Sequence, residues 1–433
     1  MIKTNINTNE TSNLSMQIKS IPEIDSISDL PKITSFIFPK EFGLLPNVAE
    51  IFELELAFYE YKFLTKDEII RRGAFFKSVD GIPTYHYIIC SNNSPLIWKG
   101  KSELTRSYFK EGNFSTGYAT HGLFPYRGKF HPQLIKGILN ILRVQPEDIV
   151  LDPMCGSGTL NVEASIMGID SIGIEKSPFC VLMSKVKYEA LKTDIATSSL
   201  ILKDMDKNYK TLINGKKSFA ESSYHNGFQP EEAITLLAFL DSMGYARRCS
   251  KSIDVLFPSV LKRYVGQINS FIQVRDKLNL KIGNARFEIG DARKLPLEDN
   301  SIDGIITSPP YSFAIDYAEN DRPQLEYLGY DVSELREDMI GLKGKTRKEK
   351  LVNYFDDMKK VLSEMRRVLK VGKYAVIIIG SNDVQTGGIR LETRIEEMAL
   401  EDGFVLDQKI VKPIKGLQNT MKDEYILFLR KVK

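Results

Sequence analysis

The chain has 433 residues, of which 42% are hydrophobic and 27% charged, and its formal net charge is +3. This length exceeds one average domain, so we expect several domains or one large domain with insertions. The near balance of charge excludes a uniformly basic surface, and any nucleic-acid-binding face has to be local. The four cysteines, at 90, 155, 180 and 249, have neither disulfide nor metal-ligand spacing, and with only four histidines we expect no metal site.

The first 120 residues mix several signals. Residues 1–20 are rich in Asn, Thr and Ser and lack the apolar core of a signal peptide, so we expect a flexible arm and a cytoplasmic protein. No run approaches the ~18 apolar residues of a membrane span. Within an α+β region at 21–120, apolar spacing predicts an amphipathic helix at 47–59. Aromatic and β-branched residues predict a strand at 83–90.

Strands and helices then alternate. The predicted strands lie at 148–152, 171–175, 286–291, 302–307, 374–380, 404–411 and 424–429. The predicted helices lie at 134–143, at 161–167, up to 191, at 351–369 and at 390–402. Such alternation predicts an α/β fold with a doubly wound, mostly parallel sheet. The last two strands have no helix between them, which predicts an antiparallel hairpin at the sheet edge.

Two segments interrupt this alternation. Residues 192–280 are mainly helical in pattern, for example at 230–243 and 260–278. A structureless loop of that length inside a compact sheet is unusual, so we predict a helical insertion. A second insertion, at 318–350, ends in a run of basic residues.

A glycine-rich loop, Asp-Pro-Met-Cys-Gly-Ser-Gly-Thr at 152–159, follows the first strand of this alternating part. Glycines let the backbone turn sharply and approach a ligand, and ligands of open parallel sheets bind beyond the carboxyl ends of the strands. The loop matches neither the dinucleotide nor the P-loop pattern. A cofactor without phosphates, such as S-adenosylmethionine, fits a loop of this kind better. The cation of that cofactor would favour a nearby carboxylate such as Asp152.

Acidic residues also end two further strands. Glu175 is placed to bind ribose hydroxyls, and Asp291 is placed to accept a hydrogen bond from an adenine amino group. A lone acid at such a position is as often a helix cap. Three acids at three strand ends beside one glycine loop favour a nucleoside cofactor. The residues expected around it here are Asp152, Pro153, Cys155, Gly156, Ser157, Gly158, Thr159, Glu175, Lys176, Asp291 and Ala292.

A second motif, Ser-Pro-Pro-Tyr, follows the strand at 302–307. An exocyclic amine of a base is a poor nucleophile, because its lone pair is delocalised into the ring. The Ser308 hydroxyl and the Pro309 carbonyl are two acceptors that can bind its hydrogens and free that lone pair. Pro310 stiffens the loop, and Tyr311 offers a face on which an extruded base stacks. A plain proline turn is the alternative reading of the motif.

Together the two motifs resemble those of S-adenosylmethionine-dependent amino-methyltransferases. The serine before Pro-Pro-Tyr, and the continuation Ser-Phe-Ala-Ile-Asp-Tyr at 312–317, resemble the cytosine-N4-specific DNA methyltransferases of restriction-modification systems. The resemblance covers about 122–191 and 286–429. It implies a Rossmann-like class I methyltransferase fold with a seven-stranded sheet. The catalytic domain would comprise 121–191 and 281–433, leaving the region 21–120 and the insertion 192–280 as candidates for target recognition.

The resemblance also implies chemistry and partners. It implies S-adenosylmethionine as cofactor, double-stranded DNA as substrate, base flipping, direct methyl transfer to give N4-methylcytosine, and a cognate restriction endonuclease as partner. The resemblance also places Phe124 and Lys129, in the segment 121–133, beside the methionine part of the cofactor. The alternative interpretation of this segment is a loop that aromatic side chains anchor to the protein.

Basic residues supply two candidate phosphate-contacting surfaces. Lys343, Lys345, Arg347 and Lys348 follow the catalytic motif, and a second set lies on the insertion: Arg247, Arg248, Lys251, Lys262 and Arg263. If these basic residues contact phosphates, they would position a DNA duplex. The alternative interpretation is that they lie on solvated loops without a ligand.

Three other functions stay open. The glycine loop also resembles that of tRNA guanine-N2 methyltransferases, although serine stands where that family has aspartate. Adenine-N6 methylation of DNA would use the same chemistry. A catalytically silent scaffold subunit is the third.

Overall fold

The computed structural model describes residues 34, 36–92, 116–126, 128–214, 229–249, 251–311, 316–381, 386–414 and 422–433. The chain divides into two units, Met1–Lys40 and Glu41–Lys433, and the sheets and the site lie in the second. The flexible arm predicted at 1–20 falls outside the described residues. Among the described helices, none combines the length and the apolar character needed to cross a membrane.

The region before the main sheet combines a small sheet with helices. Its elements are β1 (Phe42–Leu44), α1 (Ile51–Phe63), α2 (Lys66–Arg72), β2 (Phe76–Val79), β3 (Ile82–Pro83) and α3 (Tyr85–Ser91). The three strands pair antiparallel in the order β1-β2-β3. The helix predicted at 47–59 is confirmed but begins at Ile51, where Glu50 and Glu53 form a capping box.

The strand predicted at 83–90 is wrong, because this segment forms helix α3. The Thr84 side chain accepts a hydrogen bond from the Tyr87 backbone N–H at 3.2 Å, which caps the helix. Its hydroxyl also donates to the Phe76 carbonyl at 2.7 Å. A cap of this kind, together with burial of His86, Ile89 and Cys90 on one side, outweighs the β propensity of the sequence.

The main part of the chain alternates strands and helices, as predicted. The elements before the insertion are α4 (Pro132–Ile141), β4 (Ile149–Asp152), α5 (Thr159–Ile166), β5 (Asp170–Glu175) and α6 (Pro178–Lys192). Those after it are β6 (Ala285–Ile289), β7 (Ile302–Thr307), α11 (Tyr317–Asn320), α12 (Arg322–Tyr327), α13 (Val332–Glu337), α14 (Arg347–Val368), β8 (Leu369–Gly380), α15 (Leu391–Glu401), β9 (Phe404–Pro413) and β10 (Asp423–Lys431).

The sheet has seven strands in the order β6-β5-β4-β7-β8-β10-β9. Strands β4 to β8 pair parallel, and β10 lies antiparallel between β8 and β9. All six residues of β7 are buried, as expected for a central strand covered on both faces. This order, with its antiparallel final hairpin, is a doubly wound α/β fold of the Rossmann-like class I methyltransferase type, which confirms the predicted fold class. The carboxyl ends of β4, β5 and β7 meet near the point where the strand order reverses.

The insertion is helical, as predicted, and packs on the sheet domain. It contains α7 (Ile195–Lys203), α8 (Met205–Asn214), α9 (Pro230–Cys249) and α10 (Ile253–Lys277). Its buried residues, such as Leu237 and Leu261, form one hydrophobic cluster with Phe179 and Met183 of α6. The expectation that Arg263 is available for phosphate is wrong, because its guanidinium Nη2 pairs with Asp241 Oδ2 at 2.6 Å.

Candidate active site

The glycine loop joins β4 to α5 and is held by main-chain contacts. The Cys155 N–H donates to the Ile174 carbonyl of β5 at 3.0 Å. Gly158 is the N-cap of α5 with φ +73°, in the left-handed region that favours glycine. A Cβ there would lie 2.7 Å from the Ser184 Cβ of α6. This glycine therefore allows the close approach of α6, and it supports the cleft from behind rather than lining it.

The cleft beside this loop, here called the loop cleft, collects residues from four strand ends. Its walls include Pro153, Cys155, Gly156, Ser157, Thr159, Glu175, Lys176, Asp291, Ala292, Lys129, Ser308 and Pro310, all predicted site residues. Tyr126, Arg293, Tyr317, Asp338, Met339, Ile340 and Leu342 also line it and were not predicted. The residues from Asp338 to Leu342 belong to the second insertion, whose pattern gave no sign that it covers a ligand.

Glu175 lines the loop cleft. Its Oε2 accepts from the Gly156 N–H at 2.8 Å and its Oε1 accepts from the Ser177 N–H at 3.0 Å. Burial raises the pKa of this carboxyl, although these backbone hydrogen bonds oppose the rise. Each oxygen keeps a further lone pair, so binding of ribose hydroxyls by Glu175 stays a prediction that the geometry allows.

Asp152 does not line the loop cleft, contrary to the expected direct role. Its side chain is fully buried beneath the loop, where Oδ1 accepts from the Thr307 hydroxyl at 2.7 Å and from the Met154 N–H at 3.1 Å. Oδ2 has no hydrogen-bond partner in the described part of the chain. Burial raises the pKa of the Asp152 carboxyl to about 7. Because Thr307 precedes Ser308, this contact ties the glycine loop to the second motif.

Asp291 lines the loop cleft but is already engaged by Arg293. The guanidinium Nη2 lies 2.6 Å from Oδ2, and Nε lies 2.9 Å from Oδ1. Burial alone would raise the pKa of Asp291, but the hydrogen bonds and charge of Arg293 lower it overall. Arg293 also pairs with Asp338 at 2.8 Å, and Asp338 pairs with Lys176. These ion pairs fix the wall formed by the second insertion.

Phe124 is not a neighbour of the loop cleft, which corrects the expectation drawn from the segment 121–133. Its ring packs edge-on against Phe179 at 5.0 Å, and its N–H donates to the Tyr264 hydroxyl of the insertion at 2.7 Å. Lys129 lines the loop cleft, and its Nζ donates to the carbonyls of Thr116 and His121, at 2.7 and 3.1 Å; its contact with the cofactor stays a prediction. Burial lowers the pKa of Lys129 to about 8.

A second cavity, here called the serine cavity, adjoins the loop cleft. Ser308 and Lys129 line both spaces, so the two are neighbours across these side chains. The serine cavity is further lined by Thr116, Tyr126, Gly128, Phe130, His131, Leu134, Tyr311, Ile378, Lys412 and Glu424. Pro309 lines neither space, so of the predicted catalytic residues Ser308, Pro310 and Tyr311 border one or both of these two cavities.

A hydrogen-bond chain runs along the wall of the serine cavity. The Tyr311 hydroxyl lies 2.8 Å from Glu424 Oε1, and the Ser308 hydroxyl lies 3.3 Å from that of Tyr311. Glu424 also pairs with Lys412, which stands directly opposite it on β9. Neither Lys412 nor Glu424 was predicted, because the sequence near them carries no motif. The expected stacking role of the Tyr311 ring stays a prediction.

The basic run lies next to the loop cleft. Lys343, Lys345, Arg347 and Lys348 are exposed, and they begin one residue after Leu342 of the cleft wall. Thr346 caps helix α14 in a capping box with Glu349. Within the described ranges, no carboxylate lies within ion-pair distance of these four side chains. Their role as phosphate contacts stays a prediction.

The loop cleft suits a nucleoside with a cationic sulfonium group. Of the cations that line it, Lys176 and Arg293 are paired with carboxylates and Lys129 donates to backbone carbonyls, while Glu175 offers acceptors for a diol. The backbone of Gly156, with φ +50°, has open space where a Cβ would stand. A site for phosphates would instead present unpaired cations or a phosphate-binding loop.

Comparison with known families matches two parts of the chain. Residues 123–221 match the family described as "RMKL-like, methyltransferase domain", and residues 302–433 match the family described as "DNA methylase". The first match contains the glycine loop and the second contains the Ser-Pro-Pro-Tyr motif. Residues 123–221 are thus similar to a methyltransferase domain and residues 302–433 to DNA methylases, and the cofactor is S-adenosylmethionine.

Individual relatives match over shorter stretches. The Type II methyltransferase M.MjaII of Methanocaldococcus jannaschii is 40% identical over 26% of this chain and 19% of its own length. The Type II methyltransferase M.BsoBI of Geobacillus stearothermophilus is 23% identical over 50% of this chain and 54% of its own length. A tRNA (guanine(10)-N2)-dimethyltransferase of Methanothermobacter thermautotrophicus is 36% identical over 12% of this chain and 16% of its own length. The chain thus matches about half or less of each of these relatives.

Proposed function

We propose that this chain is a site-specific DNA methyltransferase that transfers a methyl group from S-adenosylmethionine to the exocyclic N4 of cytosine in duplex DNA. The observation that carries the proposal is the hydrogen-bond chain from Ser308 through Tyr311 to Glu424 at the junction of the two cavities. Relatives named as Type II methyltransferases support DNA as the substrate and a restriction-modification system as the setting.

The chain of hydrogen bonds orients the Ser308 hydroxyl as an acceptor. A tyrosine hydroxyl has one hydrogen, and the Tyr311 hydrogen is donated to the Glu424 carboxylate. Ser308 must therefore donate its own hydrogen to Tyr311, which leaves its lone pairs for an incoming donor. An exocyclic amine supplies such a donor. The motif predicts the Pro309 carbonyl as the second acceptor, which would take the other amine hydrogen, although Pro309 lines neither cavity in this structure.

The two adjoining cavities supply the arrangement that direct transfer requires. With the cofactor in the loop cleft and the base in the serine cavity, both reactants border Ser308. Bound S-adenosylmethionine supplies an electrophilic methyl group. The chain's own residues hold the base, orient its amine and keep water away, so catalysis rests on positioning and electrostatics. A base enters such a cavity only after it leaves the duplex stack.

Recognition of the duplex is assigned to surfaces around these cavities. The exposed side chains at 343–348 supply phosphate contacts beside the loop cleft. We propose that the region 21–120, the helical insertion 192–280, or both, read the target sequence. These contacts determine which cytosine is modified, whereas Ser308 and its neighbours determine the reaction.

Methylation of guanine N2 in tRNA is a second candidate, favoured by the tRNA (guanine(10)-N2)-dimethyltransferase similarity and by the first family match. Adenine-N6 methylation of DNA is a third outcome with the same chemistry. Serine at 308, where the guanine-specific family has aspartate, favours cytosine.

Product analysis tests the proposal. Wild-type protein is incubated with S-adenosylmethionine and either mixed-sequence duplex DNA or total tRNA, and methylated nucleosides are identified by mass spectrometry. We expect N4-methylcytosine in DNA only. N6-methyladenine would overturn the assignment of the base but keep the amine chemistry, and methylguanine in tRNA would establish the second candidate.

A matched pair of serine variants connects the product to the site. Ser308→Ala removes the acceptor and is expected to lower the transfer rate about 100-fold or more. Ser301→Ala, at the other end of the same strand, removes only a hydroxyl that donates to the Glu298 carbonyl at 2.7 Å. It should retain near-wild-type activity. Equal rates for both variants would contradict the catalytic role of Ser308.

A further inference from the structure

We propose that Glu424 is the terminal proton acceptor of the reaction: it accepts, through Tyr311 and Ser308, the proton that leaves the target amine during methyl transfer. This inference rests on the proposed amino-methyltransferase function and adds to it a proton acceptor from the last strand of the sheet. Glu424 lies 113 residues beyond Tyr311 in sequence, and the sheet order alone brings them together.

The geometry of the chain is continuous. Ser308 Oγ lies 3.3 Å from the Tyr311 hydroxyl oxygen, which lies 2.8 Å from Glu424 Oε1. All three side chains border the serine cavity. Every hydrogen bond points the same way, from Ser308 towards the carboxylate, because Glu424 can only accept while it is ionised.

The reaction balances along this chain. Bound S-adenosylmethionine would supply the methyl group as an electrophile and would keep the electron pair of the broken sulfur–carbon bond. The amine lone pair forms the new nitrogen–carbon bond, and the nitrogen becomes cationic. One N–H bond then breaks, its electrons return to nitrogen, and the proton passes to Ser308 Oγ. The Ser308 hydrogen moves to Tyr311, and the Tyr311 hydrogen moves to Glu424.

Tyr311 serves as a carrier and not as an ionised base. Burial raises the pKa of its phenol far above the ordinary value, and the negative charge of Glu424 raises it further. A free phenolate is therefore unfavourable, and a proton received from Ser308 has to be matched by one given to Glu424. This coupling requires an acceptor at the end of the chain, which the carboxylate supplies.

Lys412 keeps the carboxylate in place. Lys412 and Glu424 are directly opposed in the β9–β10 pairing, so both side chains stand on the same face of the sheet. Their ion pair holds the carboxylate beside the Tyr311 hydroxyl. The Glu424 side chain is 18% exposed and that of Lys412 is 22% exposed, so Glu424 can return the proton to water after the product leaves.

The same sheet supplies a matched control. Lys409 Nζ pairs with Glu396 Oε2 at 2.8 Å. Lys409 lies three residues before Lys412 on β9, so its side chain points to the opposite face. The Glu396→Gln variant thus neutralises a similar ion pair away from the serine cavity.

Single-turnover methyl transfer with duplex DNA is the measurement, using the full chain and S-adenosylmethionine. Glu424→Gln keeps an acceptor for the Tyr311 hydroxyl but binds a proton far more weakly. We expect it to lower the transfer rate about 100-fold, the usual size of a general-base effect, with cofactor and DNA affinity within about twofold of wild type. Tyr311→Phe keeps the ring and breaks the chain, and the double variant should be no slower than the slower single variant.

Chemical rescue separates proton transfer from positioning. Adding formate to Glu424→Ala restores an acceptor without restoring the side chain, and we expect at least a tenfold recovery of its rate. Glu396→Gln should match wild type throughout. A Glu424→Gln rate within twofold of wild type, or a formate-insensitive Glu424→Ala with wild-type substrate affinity, would overturn the relay alone. Wild-type protein that methylates no exocyclic amine would overturn the proposed function and the relay together.

Discussion

Replacing Asp152 by asparagine should stabilise the protein at alkaline pH, although Asp152 belongs to the glycine loop. The carboxyl is fully buried, and burial raises its pKa from 3.8 to about 7. The folded protein therefore holds a proton there that the unfolded chain releases above pH 4. The free energy of unfolding therefore decreases as the pH rises from 3.8 to about 7, and the whole of this decrease is present above pH 7.

The size of this penalty follows from the interval between the two pKa values. From 3.8 to about 7, at ~1.36 kcal/mol per pH unit, the carboxylate of Asp152 costs about 4 kcal/mol at pH 8. At pH 5 the same linkage costs only about 1.5 kcal/mol. The asparagine oxygen keeps the contacts with Thr307 and Met154. Its amide nitrogen replaces Oδ2, which has no partner among the described residues, and an unpaired buried donor costs about 1–3 kcal/mol.

The Asp152→Asn variant should thus exceed wild type in stability by about 1–3 kcal/mol at pH 8 and lie near it at pH 5. Urea unfolding without cofactor, followed by fluorescence at both pH values, measures the difference. The change between the two pH values, about 2–3 kcal/mol, does not depend on the cost of the amide. A difference in unfolding free energy that is equal at pH 5 and pH 8 would refute the assignment of a raised pKa to Asp152.

Three further predictions concern the loop cleft and the DNA surface. Gly158→Ala should lower cofactor affinity at least tenfold by calorimetry, because the added Cβ would lie 2.7 Å from the Ser184 Cβ. Gly372→Ala, also at positive φ but with open space around it, should leave the affinity unchanged. Equal affinities of the two variants would contradict this reasoning. Arg293→Gln should weaken cofactor binding about tenfold by the same method, because it releases Asp291 and the adjoining wall; unchanged affinity would show that the wall holds without it. Replacing the basic side chains of 343–348 by glutamine should weaken duplex binding in fluorescence anisotropy and reduce the salt slope by about 0.9 per lost phosphate contact; an unchanged slope would favour a solvated loop.

The sequence predicted the sheet well because its signals are local. Short apolar runs ending in an acid marked β4 and β5, and the strand predicted at 302–307 matches β7 residue for residue. Parallel strands buried on both faces need such runs, so composition and spacing identify them. No helix was predicted between the last two strands, and this correctly indicated that β9 and β10 pair antiparallel at the sheet edge.

Local signals failed where a tertiary contact competes with propensity. The segment at 83–90 has the composition of a strand, yet the Thr84 cap and burial of one face make it helix α3. Phe124 was expected beside the cofactor, but the insertion helices bury it against Phe179 and Tyr264. The residues adjacent to the segment 83–90 and to Phe124 contain no pattern that indicates these contacts with distant parts of the chain.

The sequence by itself determined the strand ends that carry the chemistry. The glycine loop, Glu175, Asp291 and Ser308 each follow a segment with a recognisable strand pattern, because strands and turns are specified by neighbouring residues. Only the tertiary structure decided what stands beside them. The insertion of β10 between β8 and β9 brings Glu424 and Lys412 to Tyr311, and the second insertion brings Asp338 to Arg293. Such contacts join residues tens to more than a hundred positions apart. They depend on the order in which strands pair, which no local pattern of residues encodes.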